Sequence, residues 1–333
     1  MQRYQIMARI AVTDGMADEA VELLQKAGHV VEVGHISKSD LLDGALQNFD
    51  AIIVRSATKL PKEIIEVSKG LRVIARAGVG VDNIDLESAG NNGIPVLNAP
   101  NSSTQSVVEL TIGHLLASVR FLPKSDRGIR LGKWEKKLMT GTELNGKRLG
   151  LIGFGRIAQG VANVAKALGM EIHTYDPYLP NKIAKSHDVY LHKSVDSLFK
   201  TCTHISVHCN LTDETHHLVN KKRLNLMPGR VGNIACGNHI VNCARGGIID
   251  EEALLRALDS GTVSSAALDV FEEEPVSEDY ELLRHDNFHG TPHIGAATLE
   301  AQSRVGIDIA NYLIRFFKNQ KIDSIVNKKF LQS

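Results

Sequence analysis

The stretch Lys147–Asp176, KRLGLIGFGRIAQGVANVAKALGMEIHTYD, decides the fold. Leu149 to Ile152 is a short apolar run suited to a buried strand. Gly153 and Gly155 follow at once. Ile157, Val161, Ala165 and Leu168 then recur at helical spacing, and Gly169 is placed to stop the helix. Ile172 to Tyr175 predicts a second strand, closed by Asp176. Strand, glycine-rich turn, helix, strand and acid make a dinucleotide-binding unit. Gly153 permits the tight turn, and Gly155 lets a pyrophosphate approach bare backbone. Ala158 stands in the third glycine's place and still allows helix and strand to pack closely. The helix N-terminus offers N–H groups and a positive dipole end to the phosphates. Asp176 lies 21 positions after Gly155. There it can accept hydrogen bonds from ribose hydroxyls, and its charge repels a 2′-phosphate, so NAD is favoured over NADP. Glycines also mark ordinary turns; the strand, helix and acid around these two favour the dinucleotide reading.

Outward from this unit, 333 residues are long for one core, and two domains are expected. Hydrophobic residues make up 43% and charged residues 23%, as in an ordinary globular protein. Acidic and basic side chains balance at 38 each, which argues against a nucleic-acid or membrane-surface partner. No apolar run approaches the roughly 20 residues of a membrane span. The start, MQRYQIMARIAV, has no signal-peptide pattern and reads as a leader into a first strand. Cys202, Cys209, Cys236 and Cys243 fit no usual zinc spacing and read as reduced thiols of a cytoplasmic protein. No metal site is expected, and His216–His217 reads as a surface pair.

Short strands are expected at Ala8–Val12, His29–Val33, Ala51–Val54, Arg72–Ala75 and Pro95–Asn98, with helices between them. This is a small α/β domain of its own. Ser106–Phe121 reads as a long helix with a capping box, Ser106-x-x-Glu109. Further strands are expected at His204–His208, His239–Cys243 and Ala266–Asp269, with helices at Val195–Phe199 and Glu251–Leu258. From Ala296 a long amphipathic helix is expected to return to the first domain. The fold class is therefore α/β: two Rossmann-like or flavodoxin-like doubly wound parallel-sheet domains separated by a cleft. The boundaries are 1–104 plus 297–333 for a substrate-binding lid and 105–296 for the NAD-binding domain.

Ligands of parallel sheets sit beyond the carboxyl ends of strands. Ala77-Gly78-Val79-Gly80 lies there and can offer consecutive N–H groups to a carboxylate. Arg55 and Arg76 bring positive charge to the same edge, although both also read as solvated arginines. Arg245, at the end of a strand and beside Gly246-Gly247, can grip a carboxylate bidentately. Asp269 ends another strand, Glu274 precedes a proline, and His293 stands between Pro292 and Gly295. Singly, each has a structural reading: a surface ion pair, a solvated acidic run, a core histidine. Their joint placement at strand ends of a dinucleotide domain favours chemistry.

VRSATK, RAGVGVDNIDL, GKWEKK, GTELNGK, GFGRI, YDP, VNCARGGIIDE, ALDVFEEEP and PHIGA together resemble the D-isomer-specific 2-hydroxyacid dehydrogenases over nearly the whole chain. The resemblance implies an NAD-dependent oxidoreductase acting on a small 2-hydroxy acid. Arg245 would bind the substrate carboxylate, and His293 with Glu274 would be the acid–base pair. Arg156 and Ile157 would cover the pyrophosphate. Cys209, Cys243 and Ala244 would line the cofactor cleft, where Val79, Gly295 and Ala296 also fall. Asp269 would orient the nicotinamide carboxamide. Val79 and Gly80 would hold the carboxylate, while Arg55, Arg76 and Lys136 would face a substrate phosphate, Lys136 reaching a neighbouring subunit. A homodimer or homotetramer is implied. Two alternatives stay open: a glyoxylate or hydroxypyruvate reductase of the same family, and a binding protein that senses NAD. The segment GRVGNIACGNHI is longer than the family's connection and lies ahead of the strand carrying Arg245, so a register shift is a concern. The chain is expected to lack the C-terminal regulatory domains of some relatives.

Overall fold

The computed structural model describes residues 7–331. It divides into two compact units, Met1–Ser103 with Ala296–Ser333, and Thr104–Gly295. The first unit carries five parallel strands: β1 (Arg9–Val12), β2 (Val30–Val33), β3 (Ala51–Val54), β4 (Val73–Arg76) and β5 (Val96–Asn98). Their order, β2-β1-β3-β4-β5, is that of a doubly wound sheet. β3 is buried along its whole length, as a continuous apolar run in a two-sided parallel sheet should be. The helix Leu299–Phe317 belongs to this unit, packs on the helix Asp18–Lys26 and against β4 and β5, and adds Ile309, Leu313 and Phe317 to the core of the sheet. Beyond it, Asn327 is fully buried: its amide donates to Ile94 O (2.9 Å), and its oxygen accepts the Val96 N–H (2.9 Å).

The second unit is built on β6 (Arg148–Ile152), β7 (Glu171–Tyr175), β8 (Tyr190–Leu191), β9 (His204–Val207), a small hairpin of β10 (Arg230–Val231) and β11 (Ile234–Ala235), then β12 (His239–Asn242), β13 (Ser265–Leu268) and β14 (Phe288–Gly290). Seven of these form one parallel sheet, β14-β13-β12-β9-β6-β7-β8. Chain order reverses between β6 and β9, and that switch point is where such sheets bind ligands. The helix Arg156–Ala167 lays Ala158, Val161, Ala162 and Ala165 onto the sheet and packs on the helix Thr104–Val119.

Two local expectations are corrected. The helix expected from Ser106 starts at Thr104, so Ser106 is buried within its first turn and does not stand at the N-cap position. Glu109 instead accepts a hydrogen bond from Gln105 Nε2 (2.7 Å). That helix stops at Val119, short of Phe121. Phe121 takes a left-handed conformation (φ 53°) and a second helix, Leu122–Arg130, follows with Pro123 in its first turn. The lengthened segment before Arg245 folds outward as the β10–β11 hairpin around Gly232 (φ 56°). β12 stays in register, His239 opposite His204 on one side and Ser265 on the other. No helix among the described residues is long and apolar enough to cross a membrane.

Candidate active site

Asn242 ends β12 and folds its side chain back, accepting the Ala244 N–H (2.9 Å) and donating to Arg245 O (2.8 Å). This side-chain turn carries Arg245 off the sheet edge. The Arg245 guanidinium is half-buried and donates from Nη1 to Ala244 O (2.6 Å). Gly246 abuts the next segment so closely that a β-carbon there would lie 1.7 Å from Phe271 O, so no side chain is tolerated. The two segments are also tied by Glu251, whose buried carboxylate accepts the Glu272 N–H (2.8 Å) and the Tyr280 hydroxyl. Glu272 in turn accepts the Glu251 N–H and pairs with His217 Nε2 (2.9 Å).

Glu274 follows on the clamped segment. One carboxylate oxygen accepts the Phe271 N–H (3.1 Å), and the other lies 2.8 Å from His293 Nδ1. Burial works against the Glu274 charge, but the hydrogen bonds from His293 and Phe271, with the charges of His293 and Arg245, outweigh it and hold the carboxyl below its ordinary range. Arg245, Glu274 and His293, remote in the chain, thus act on one another in the fold. His293 sits at φ 53°, a region costly for a residue with a β-carbon. It is held there by Asp269, whose carbonyl accepts the His293 N–H (2.8 Å) and whose carboxylate accepts the N–H groups of Ile294 and Gly295 (both 2.8 Å). Gly295 leaves room for that carboxylate, 3.1 Å from where its β-carbon would be.

At the switch point, Gly153 (φ 87°) passes so near β9's end that a β-carbon would meet His208 O at 2.9 Å. Gly155 faces open space at the start of the helix Arg156–Ala167. Arg156 is exposed and Ile157 half-buried beside it. Asp176 accepts the Phe154 and Tyr178 N–H groups, one on each oxygen (both 2.9 Å), which holds its carboxylate beside the glycine-rich turn. Bare backbone at a helix N-terminus with an acid at the neighbouring strand end fits a dinucleotide. Cys209 and Cys243 flank the same strand ends, and Ala244 is half-buried beside them. Burial pushes the thiols up, Cys209 to about 11 and Cys243 to about 12, which favours their protonated form. Among the described residues no group of three His, Cys, Asp or Glu is placed to hold a metal.

In the first unit the segments after β3 and β4 are pinned by residues that sequence reading missed. Asp14 accepts the Arg55 N–H (2.7 Å) and the Thr58 hydroxyl (2.6 Å), and Asn83 donates to Arg55 O (2.8 Å) and Thr58 O (2.6 Å). Asn98 donates to Val79 O (2.7 Å) and so orients the Val79–Gly80 turn. The Arg76 guanidinium lies directly over Gly78, where a β-carbon would sit 1.5 Å from Nη1. Positive charge therefore does stand beside those backbone N–H groups. Lys136 is exposed on the turn Lys136–Met139 in the second unit, and Ala296 falls in the first.

Residues 112–295 match the family described as D-isomer specific 2-hydroxyacid dehydrogenase, NAD binding domain. The chain is 43% identical to D-3-phosphoglycerate dehydrogenase of Methanocaldococcus jannaschii, over 96% of its own length and 60% of that protein. It is 44% identical to hydroxypyruvate reductase of Thermotoga maritima, over 95% of its own length and 99% of that protein. Among solved structures it resembles cofactor(NAD+)-bound 3-phosphoglycerate dehydrogenase of Entamoeba histolytica, with a TM-score of 0.80 at 31% identity, covering 97% and 99% of the two chains. The chain thus spans about 60% of the phosphoglycerate dehydrogenase it matches and nearly all of the reductase.

Proposed function

We infer the reaction from one premise: this chain belongs to the D-isomer-specific 2-hydroxyacid dehydrogenases, whose NAD-binding domain it carries. The proposed reaction is oxidation of D-3-phosphoglycerate to 3-phosphohydroxypyruvate, the first step of serine biosynthesis. What supports a dehydrogenase most directly is the His293 Nδ1–Glu274 Oε2 pair at 2.8 Å. With Nδ1 engaged by the carboxylate, Nε2 takes the proton of the substrate hydroxyl, and Glu274 pairs with the ring that carries it. In the reverse direction the protonated ring is the acid. Positioned proton transfer of this kind contributes roughly 10²–10⁴-fold. Arg245 anchors the substrate carboxylate. NAD, when bound, supplies the hydride acceptor; the Gly153–Ile157 turn and Asp176 would hold its pyrophosphate and adenosine ribose.

The phosphate assignment rests on Arg55 and Arg76, and the naming of several relatives supports it. A second reading, reduction of hydroxypyruvate or glyoxylate, is favoured by the relative that matches end to end. A substrate panel followed by NADH absorbance separates them. It comprises D-3-phosphoglycerate, D-glycerate, D-lactate, glyoxylate and hydroxypyruvate. For the phosphoglycerate reading, Arg55→Ala raises KM for D-3-phosphoglycerate far more than for D-glycerate. Equal effects remove the phosphate assignment. A flat response to the whole panel favours an NAD-sensing binding protein.

A further inference from the structure

Behind the His293 segment runs a line of polar side chains that the proposed reaction does not use. Thr291 Oγ1 donates to Asp269 Oδ1 (2.6 Å), His114 Nε2 lies 3.1 Å from Thr291 Oγ1, and His114 Nδ1 lies 3.1 Å from His289 Nε2. His114 is buried on the helix Thr104–Val119, Asp269 is buried after β13, and His289 on β14 is half-buried. His289 borders a small surface pocket that it shares with Ser118, Lys124, Asp286 and Asn287.

The direction of this line follows from its end. A carboxylate can only accept, so the single Thr291 proton points at Asp269. Thr291 Oγ1 must then accept from His114, which puts the His114 proton on Nε2. A neutral His114 is left with an acceptor at Nδ1, so His289 must carry its own proton on Nε2. Both rings are suited to the neutral form. Burial lowers His114 against the raising pull of Asp269. Burial, with His114 and Arg127, lowers His289 to about 4. Lys124 faces the same end of β14, paired with Asp286.

We propose that His289, His114 and Thr291 are positioning residues, forming a one-way hydrogen-bond chain that ends on Asp269 and through it fixes the strained backbone of His293. Their effect on turnover rests on the dehydrogenase reading above; the chain itself does not. Asp269 is the hub because one carboxylate receives both the Thr291 hydroxyl and the N–H groups of Ile294 and Gly295. If Thr291 loses its hydroxyl, that carboxylate keeps only the two N–H donors of the segment it is meant to fix, and the His293 segment loosens.

Two-bond ¹⁵N–¹H spectra of full-length protein labelled in histidine test the direction, with assignments from His114→Gln and His289→Gln. His114 and His289 should both be neutral Nε2–H tautomers at pH 7.5. An Nδ1–H form, or a doubly protonated His114, overturns the chain. Thr291→Val should speed amide exchange over Thr291–Gly295 and lower kcat about 10-fold or more, and Thr291→Ser should restore both. Wild-type exchange and turnover in Thr291→Val overturn the positioning role. A wild-type enzyme inactive on every hydroxy acid overturns the reaction instead, and the spectra and exchange still decide the chain. Should Thr291→Val fail to fold, His114→Leu makes the same cut.

Discussion

His293 combines a left-handed backbone, a carboxylate partner and a fully hydrogen-bonded support in one residue. His293→Ala is therefore expected to lower kcat by roughly 100-fold or more. NADH binding, followed by fluorescence, should persist, because the glycine-rich turn and Asp176 lie elsewhere in the sheet. Unchanged turnover would remove the imidazole from the mechanism. A different pair governs acid stability. His204 and His239 stack in neighbouring strands at 4.6 Å between ring centroids, both buried. Burial lowers both, His239 to about 4 and His204 well below its ordinary value, with further push from His239 and Lys147 on His204. The folded state thus binds fewer protons than the unfolded state. Their contribution is complete above about pH 6.5 and falls as pH drops toward 4. For His239 alone the loss by pH 5 is on the order of 2 kcal/mol. Urea midpoints between pH 7.5 and 5 should decline accordingly, and less steeply in His239→Asn. Arg245, Glu274 and His293 were legible only jointly, through their placement near strand ends of a dinucleotide domain and the motifs around them, since each alone also has a structural reading. Asp14, Thr58, His114 and Thr291 were not. Their meaning lies in partners 44 and 177 positions away, and nothing in local pattern announces them.

At the scale of elements, β12 takes its register from parallel pairing with β9 and β13, while the β10–β11 hairpin pairs only with itself. Replacing Val231–Ala235 by a two-residue Asn-Gly turn should therefore leave Arg245 in place. Activity and melting temperature should stay near the parent values, within the small closure cost of a changed loop. A collapse of activity in a folded variant would show that the hairpin helps set the strand. The longer strands were readable because short apolar runs between turn residues have few other solutions in an α/β chain, whereas β8, β10, β11 and β14, two or three residues each, were not foreseen. Helix ends were less so. The motif Ser106-x-x-Glu109 has the composition of a cap, yet the preceding turn starts the helix two residues sooner. Phe121 breaks the next helix through backbone conformation, which its aromatic side chain does not reveal.

At the scale of the molecule, the segment between the helices and β6 leaves Leu131, Trp134 and Leu138 between 70% and 83% exposed. Neighbouring Leu122 and Ile129 are also exposed. So many large apolar side chains in one short stretch are uncommon on a monomer. The smaller of the two assemblies that the family resemblance implies, a homodimer rather than a homotetramer, would cover them. Light scattering at micromolar concentration should give twice the 36.3 kDa chain mass, and Trp134→Asp should shift it toward one chain. A parent that already runs as a monomer would refute this. The first unit is also assembled from two stretches on either side of the second unit, and Asn327 stitches the later stretch to Ile94 and Val96. During synthesis on the ribosome, the coenzyme-binding half is complete in one uninterrupted run and is free to mature early. The other half must wait, with the Val96 N–H missing its acceptor, until Asn327 has left the ribosome.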